Sequence, residues 1–332
     1  MEETKMKHVV FLTLAAVLTL QTPLFADLTV LDSRYKAEIF VNNYDAASQK
    51  TRDMVSDSEG NLYLTHEVTG TINKVSPTGE VTVGWVSGLS NPCGIEYTGG
   101  SAYGDYLYVN TLNNNAVYKV DLNGNKTLFS SDISESTMIA LDRGGHYGNK
   151  LYATTSTRDR IYSISQSGSN QIFSNYFYNL SGCIQGIAIA PNGTYNNSMY
   201  ISTWYPNNPD KSGIFSVDQN GNPTLFNTNL AAGFAMNFDT SGFFDNALFV
   251  SALDSFTAKA WGLYRLDENG QETLFATSKN SSLLGFAFGT DGAMYIHEYD
   301  YSTSRVWKIS AIPEPATMLL LGLGLLGLRR RK

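Results

Sequence analysis

Six hydrophobic–aromatic pairs recur along this chain at nearly constant spacing, and a repeat of that length leaves few folds open. They are Leu62-Tyr63, Leu107-Tyr108, Leu151-Tyr152, Met199-Tyr200, Leu248-Phe249 and Met294-Tyr295, spaced by 45, 44, 48, 49 and 46 residues. A unit of this size cannot bury its apolar face alone and must stack on the next copy. Each pair opens an alternating strand, such as Tyr106-Leu-Tyr-Val-Asn110, and a second strand follows, such as Val117-Tyr-Lys-Val120. A Gly-containing turn comes next, as in Asp121-Leu-Asn-Gly124 or Asp267-Glu-Asn-Gly270, where a hairpin needs positive φ. An outer strand then closes the unit, as in Thr127-Leu-Phe129, Gln171-Ile-Phe173, Thr224-Leu-Phe226 and Thr273-Leu-Phe275. Small apolar segments such as Gly94-Ile95, Gly186-Ile-Ala-Ile189 and Gly285-Phe-Ala-Phe288 suit inner strands crowded round an axis.

Four strands in each of six repeats predict an all-β chain, a six-bladed β-propeller. The sixth repeat ends after its third strand, at Ile309, while the N-terminal segment Ala37-Glu-Ile-Phe-Val41 is spare. Ile39-Phe40 matches the Leu-Phe of the other outer strands, so this segment is expected to complete the last blade and remove an open edge.

Both ends read as addresses. Lys5 and Lys7 precede an apolar run from Val9 to Leu20 and then Leu24-Phe25-Ala26, the layout of a secretory signal peptide cleaved after Ala26. At the other end stand Pro313-Glu314-Pro315, an uncharged Leu- and Gly-rich run from Ala316 to Leu328, and Arg329-Arg330-Arg331-Lys332. Thirteen helical residues span about 20 Å, short of a roughly 30 Å hydrocarbon core. The basic end places the body of the chain across the membrane from it. These residues resemble the PEP-CTERM sorting signal of Gram-negative bacteria. The resemblance implies an exosortase as partner, a transient stay in the inner membrane, and delivery to the cell surface or extracellular matrix. The expected domains are 1–26, 27–311 and 312–332.

The body resembles NHL-type propellers, with Asn91-Pro-Cys-Gly-Ile95 matching their Pro-x-Gly-Ile inner strand, and more loosely the gluconolactonase and virginiamycin-lyase propellers. The gluconolactonase resemblance implies a metal held by an acidic residue, an Asn and an Asp, for which Glu96 and Asn237 are available without the surrounding motifs. Starts of inner strands and ends of second strands should meet at one channel mouth. That collects Asp53, Asn91, Asn110, Thr155, Trp204, His66-Glu67 and His297-Glu298. Two imidazoles and two carboxylates on neighbouring blades could hold a divalent metal; otherwise they are solvated residues with strand-end hydrogen bonds, and no cofactor is expected. Asp121-x-Asn-x-Asn125 and Asp218-x-Asn-x-Asn222 read as turns and not as calcium loops, since neither has a Glu at the twelfth position. Trp204 and Trp261 could stack on sugar rings. Cys93 and Cys183 are expected as buried free thiols, with a disulfide as the alternative.

The chain carries 23 Lys+Arg and 30 Asp+Glu. Both ends removed, 17 cations face 27 anions, an acidic balance that disfavours nucleic acid. The combined reading is an exported, non-catalytic binding protein with a polysaccharide or matrix partner. A metal-dependent lactonase or lyase is the alternative.

Overall fold

Each repeat folds into its own antiparallel sheet, with strands ordered as the sequence writes them. The computed structural model describes residues 28–42, 51–156, 159–177, 182–205, 209–230, 233–253, 261–279, 281–299 and 304–313, with the backbone alone at 209, 253 and 261. The signal-peptide segment, Glu314, Pro315, the apolar run and Arg329 to Lys332 lie outside these residues.

Two strands come first, β1 (Leu28–Val30) and β2 (Tyr35–Asn42). Blade 1 is β3 (Thr51–Ser56), β4 (Leu62–His66), β5 (Thr71–Val75) and β6 (Val81–Val86). Blade 2 is β7 (Pro92–Tyr97), β8 (Leu107–Thr111), β9 (Ala116–Val120) and β10 (Lys126–Ser130). Blade 3 is β11 (Ser136–Leu141), β12 (Leu151–Thr155), β13 (Ile161–Ile164) and β14 (Asn170–Ser174). Blade 4 is β15 (Cys183–Ile189), β16 (Met199–Trp204), β17 (Gly213–Val217) and β18 (Pro223–Asn227). Blade 5 is β19 (Met236–Phe238), β20 (Leu248–Leu253), β21 (Trp261–Leu266) and β22 (Glu272–Ser278). Blade 6 is β23 (Ser282–Phe288), β24 (Met294–Tyr299) and β25 (Ser304–Ala311), completed by β2. The ring therefore closes as expected, with Ala37 opposite Ile309 and Ile39 opposite Trp307. Unforeseen from the sequence, β1 adds a fifth strand to blade 5 by pairing with β22.

The repeated aromatics hold each blade to its own outer strand. A register shift at Phe129, Phe173 and Phe226 turns those rings inward onto Tyr108, Tyr152 and Tyr200, with centroids 4.7, 5.0 and 4.7 Å apart. Phe40 of β2 does the same for Tyr295 at 4.9 Å. Bulges of this kind also twist an edge strand away from pairing with other chains. The acidic turns behave as turns: Asp121 Oδ1 accepts the N–H groups of Asn123 and Asn125, both at 2.9 Å, and Gly124 has φ 91°.

A second repeated device ties one blade to the next, and it escaped the sequence reading. Tyr103, Tyr147 and Tyr195 stand four residues before the pairs at 107, 151 and 199 and reach into the following blade. Tyr147 Oη accepts Met199 N–H at 2.8 Å and donates to Val217 O at 2.5 Å. Tyr103 bridges Leu151 N and Ile164 O at 3.2 and 2.6 Å, and Tyr195 bridges Leu248 N and Leu266 O at 3.1 and 2.6 Å. In blade 5 the position is Phe244, which has no hydroxyl. There Tyr35 of β2 stacks on its ring at 4.7 Å and donates to Phe243 O at 2.7 Å. Tyr147→Phe would strand a buried N–H and a buried C=O together. A loss of about 2–4 kcal/mol is expected in denaturant melts, against under 1 kcal/mol for an exposed Tyr176→Phe control.

Candidate functional site

Five of the six inner strands, all but β19 of blade 5, carry an irregular step near their start, and in blades 1 to 4 that step builds the channel mouth. Register shifts fall between Thr51 and Met54, Pro92 and Ile95, Ser136 and Ile139, and Ile184 and Gly186. The first residue inside each step points at the mouth, where Arg52, Cys93, Thr137, Gln185 and Phe234 line one cavity of about 200 Å³. Ser156, Cys183, Leu112 and Met138 complete its wall. The next residue faces the throat, and here space is scarce. A Cβ on Gly94 would come within 2.6 Å of Met138 Cα, and one on Gly285 within 2.8 Å of Asp53 Cα. Glycine is required where adjacent inner strands come this close.

Arg52 dominates the mouth. Glu67 Oε2 accepts from its Nε at 2.5 Å and Glu67 Oε1 from Nη2 at 3.2 Å, while its guanidinium lies 5.4 Å from the Phe234 ring centre. Burial disfavours its charge, but the bond to Glu67 and that carboxylate's charge overcome the penalty and hold the guanidinium above its ordinary range. Cys93 and Cys183 are both free thiols, as expected. Cys183 is only half-buried, because its side of the strand opens on the mouth, and burial there pushes its thiol up and keeps it protonated. Trp204, opposite Cys183 in the ladder, is 38% exposed at the rim.

The remaining expected residues disperse. Asp53 lies one step below the mouth, in a second cavity of about 130 Å³ that also touches Glu96, Arg143 and Asn237. Met138 separates the two cavities, lining both. The Asp53 side chain faces the channel space yet is enclosed by the ring. Burial pushes it up to about 7, although Met54 N and Ile95 N donate to its oxygens at 2.9 and 3.0 Å. Its protonated form is thus favoured in the fold, and wild type loses stability as pH rises from 3.8 towards 7. Asp53→Asn is therefore expected to gain on wild type by about 2–3 kcal/mol between pH 5 and pH 7; a pH-independent difference in chemical melts would refute this.

The proposed His/Glu metal set does not assemble. Successive residues of a strand point to opposite faces, so His66 and Glu67 diverge, as do His297 and Glu298. The two histidines are fully buried and feel each other between blades 1 and 6, with His297 Nε2 2.7 Å from Ser304 Oγ. Glu67 turns to Arg52, and Glu298 turns the other way, accepting from Ser278 Oγ and Trp307 Nε1, both at 2.7 Å. The donor set implied by the gluconolactonase resemblance fits no better. Glu96 is held by Arg143 at 3.0 Å, and both Asp53 oxygens accept backbone N–H groups. Among the described residues no three His, Cys, Asp or Glu side chains converge on a common point. Asn110 is structural, donating to Met138 O at 2.8 Å; Asn91 holds a turn at φ 52°, and Thr155 accepts Arg160 N–H at 3.0 Å. The Trp261 side chain lies outside the described residues.

Residues 311–332 match the family model of the PEP-CTERM protein-sorting motif. A gluconolactonase from Xanthomonas campestris superposes with a TM-score of 0.62 at 13% identity, covering 84% of this chain and 90% of that one. The fold is that of the gluconolactonase-like propellers. A luciferin-regenerating enzyme gives 0.60 at 11% identity, covering 84% and 96% of the two chains. A catalytically inactive virginiamycin B lyase from Staphylococcus aureus, with quinupristin, gives 0.53 at 16% identity over 80% and 82%. No curated protein matches the chain in sequence. At these identities the likeness is one of fold, and the chain's chemistry rests on its own residues.

Proposed function

We propose that this exported propeller is a non-catalytic binding protein of the cell surface or matrix, handled by exosortase through its tail. Its ligand is a sugar unit of a surface polysaccharide, taken at the upper mouth. The observation that carries this reading is the composition of the mouth. An oriented guanidinium on an aromatic ring shares one small cavity with Thr137, Ser156 and Gln185, and Trp204 is exposed at the rim. Aromatic faces with a few placed polar groups suit amphipathic sugar rings. The acid and base candidates elsewhere are engaged structurally, which supports binding over turnover: Glu298 by Ser278 and Trp307, Glu96 by Arg143, and His297 by Ser304. Capture of the host exopolysaccharide by immobilised protein, lost in Phe234→Ala with Trp204→Ala, is the expected result. No retention by the wild-type protein sinks the reading.

A lactonase or lyase is favoured by one observation, the Asp53 carboxyl poised near neutrality within the channel beside Glu96 and Asn237. Hydrolysis of sugar lactones by the purified protein, with and without calcium or zinc, separates the two. Turnover abolished by Asp53→Asn favours the enzyme.

A further inference from the structure

Resting on the sugar-binding reading, we infer that the mouth selects an acidic sugar, with the carboxylate of a uronic acid seated on Arg52. The argument starts from which guanidinium edge is spent. Glu67 occupies the edge formed by Nε and Nη2. Nη1 donates to no described residue, so the second edge, Nη1 with the outer N–H of Nη2, is a planar two-donor fork still to be filled. Such a fork matches a carboxylate in spacing and charge.

The rest of the wall makes this preference selective. Leu112, Thr137, Ser156, Gln185 and Phe234 are neutral, and burial keeps the Cys183 thiol protonated. Among the described residues Arg52 is thus the one charged residue lining the cavity, and Glu67 balances it through the edge turned away from the ligand. Glu67 and the Phe234 ring also fix the guanidinium in place before a ligand arrives, so little side-chain freedom is lost on binding. The protein carries a net negative charge, which repels an anionic polymer at long range. Recognition of a uronate must therefore be local, made by this one fork.

The test is calorimetric titration of the full-length protein with glucuronate, with uncharged glucuronamide, and with the host exopolysaccharide. Exchanging a charge-assisted pair for a neutral one should weaken binding about tenfold, so glucuronate should exceed glucuronamide by that factor. Arg52→Gln should erase the difference. Because that variant takes the guanidinium from half-buried Glu67, Arg52→Lys serves beside it: it keeps the charge, loses the fork and should cut the preference to about threefold or less. Equal binding of the two sugars by wild type overturns the acidic-sugar inference and leaves sugar binding standing. Retention of polysaccharide with neither small sugar bound removes the mouth as the site. Failure of all three ligands removes both readings.

Discussion

A protein lacking residues 28–42 is expected to lose its cooperative melt and to aggregate, although the four repeat strands of each of the other five blades are retained. The removed stretch contains both β1 and β2, but β2 carries most of the effect. It pairs with β25 from Tyr35–Ala311 to Asn42–Arg305, and without it the β25 edge is bare. An unpaired edge of eight residues is a template for intermolecular pairing. Packing is lost as well. Tyr35 and Val41 are buried, Phe40 covers Tyr295, and Tyr35 stacks on Phe244, whose blade has no tyrosine tether of its own. Each such side chain contributes about 1.5–3 kcal/mol, and together with the ladder they approach the 5–15 kcal/mol that stabilises a whole domain. Comparing fragments 28–313 and 43–313 by calorimetry and size-exclusion chromatography checks this. A monomeric 43–313 fragment melting within a few degrees of the longer one would show that the ring does not depend on its closing strand. A synthetic peptide of residues 35–42 should restore part of the lost transition.

How much was legible in the sequence follows from what a periodic pattern can encode. The Leu-Tyr pairs and the Leu-Phe outer strands repeat because every blade solves the same packing problem, so the blade count, strand order and closing strand could be read directly. The tyrosine tethers were equally periodic. Aligning Tyr103, Tyr147, Tyr195 and Phe244 at four residues before their pairs exposes them, and only the emphasis on the pairs themselves hid them. The mouth was harder to read. Strand alternation places Asp53 and His66 by counting, but bulges in the inner strands of blades 1 to 4 shift that count and bring Arg52, Cys93, Thr137 and Gln185 to the opening instead, where Phe234, just before β19, joins them. Bulges leave little mark in a single sequence. One signal was available: in three blades the mouth residue immediately precedes the small residue of the inner strand, as Cys93-Gly94, Gln185-Gly186 and Phe234-Ala235. The His/Glu set weighed as a possible metal site does not converge for a reason of elementary geometry: His66-Glu67 and His297-Glu298 are sequence neighbours, and neighbours on a strand face apart.

The buried histidine pair should make the joint between blades 1 and 6 acid-labile. Burial, reinforced by the nearby His66, pushes His297 down to about 3 from its ordinary 6.5. Between those values the unfolded chain takes up a proton that the folded chain refuses. Stability from this residue is therefore complete above pH 6.5 and drains away as pH falls towards 3. The slope is about 1.4 kcal/mol per pH unit, or about 3 kcal/mol between pH 6.5 and 4.5. Asp53 and Asp159, both pushed up to about 7 by burial, work in the opposite direction over part of this range. The wild-type curve alone would blend these effects, so the measurement is the difference between wild type and His297→Gln. Gln can keep a hydrogen bond to Ser304 but cannot be protonated. The variant should be the less stable at pH 7.5, because it fills the site less well. The gap should narrow steadily below pH 6.5 and reverse near pH 4.5. A gap that stays constant from pH 7.5 to 4.5 would place the His297 proton in the folded ring as readily as in the unfolded chain. In that case the blade 1–blade 6 joint would have to admit water, and Thr51 and Ser304, now fully or nearly buried beside the pair, should exchange rapidly in that variant and in wild type alike.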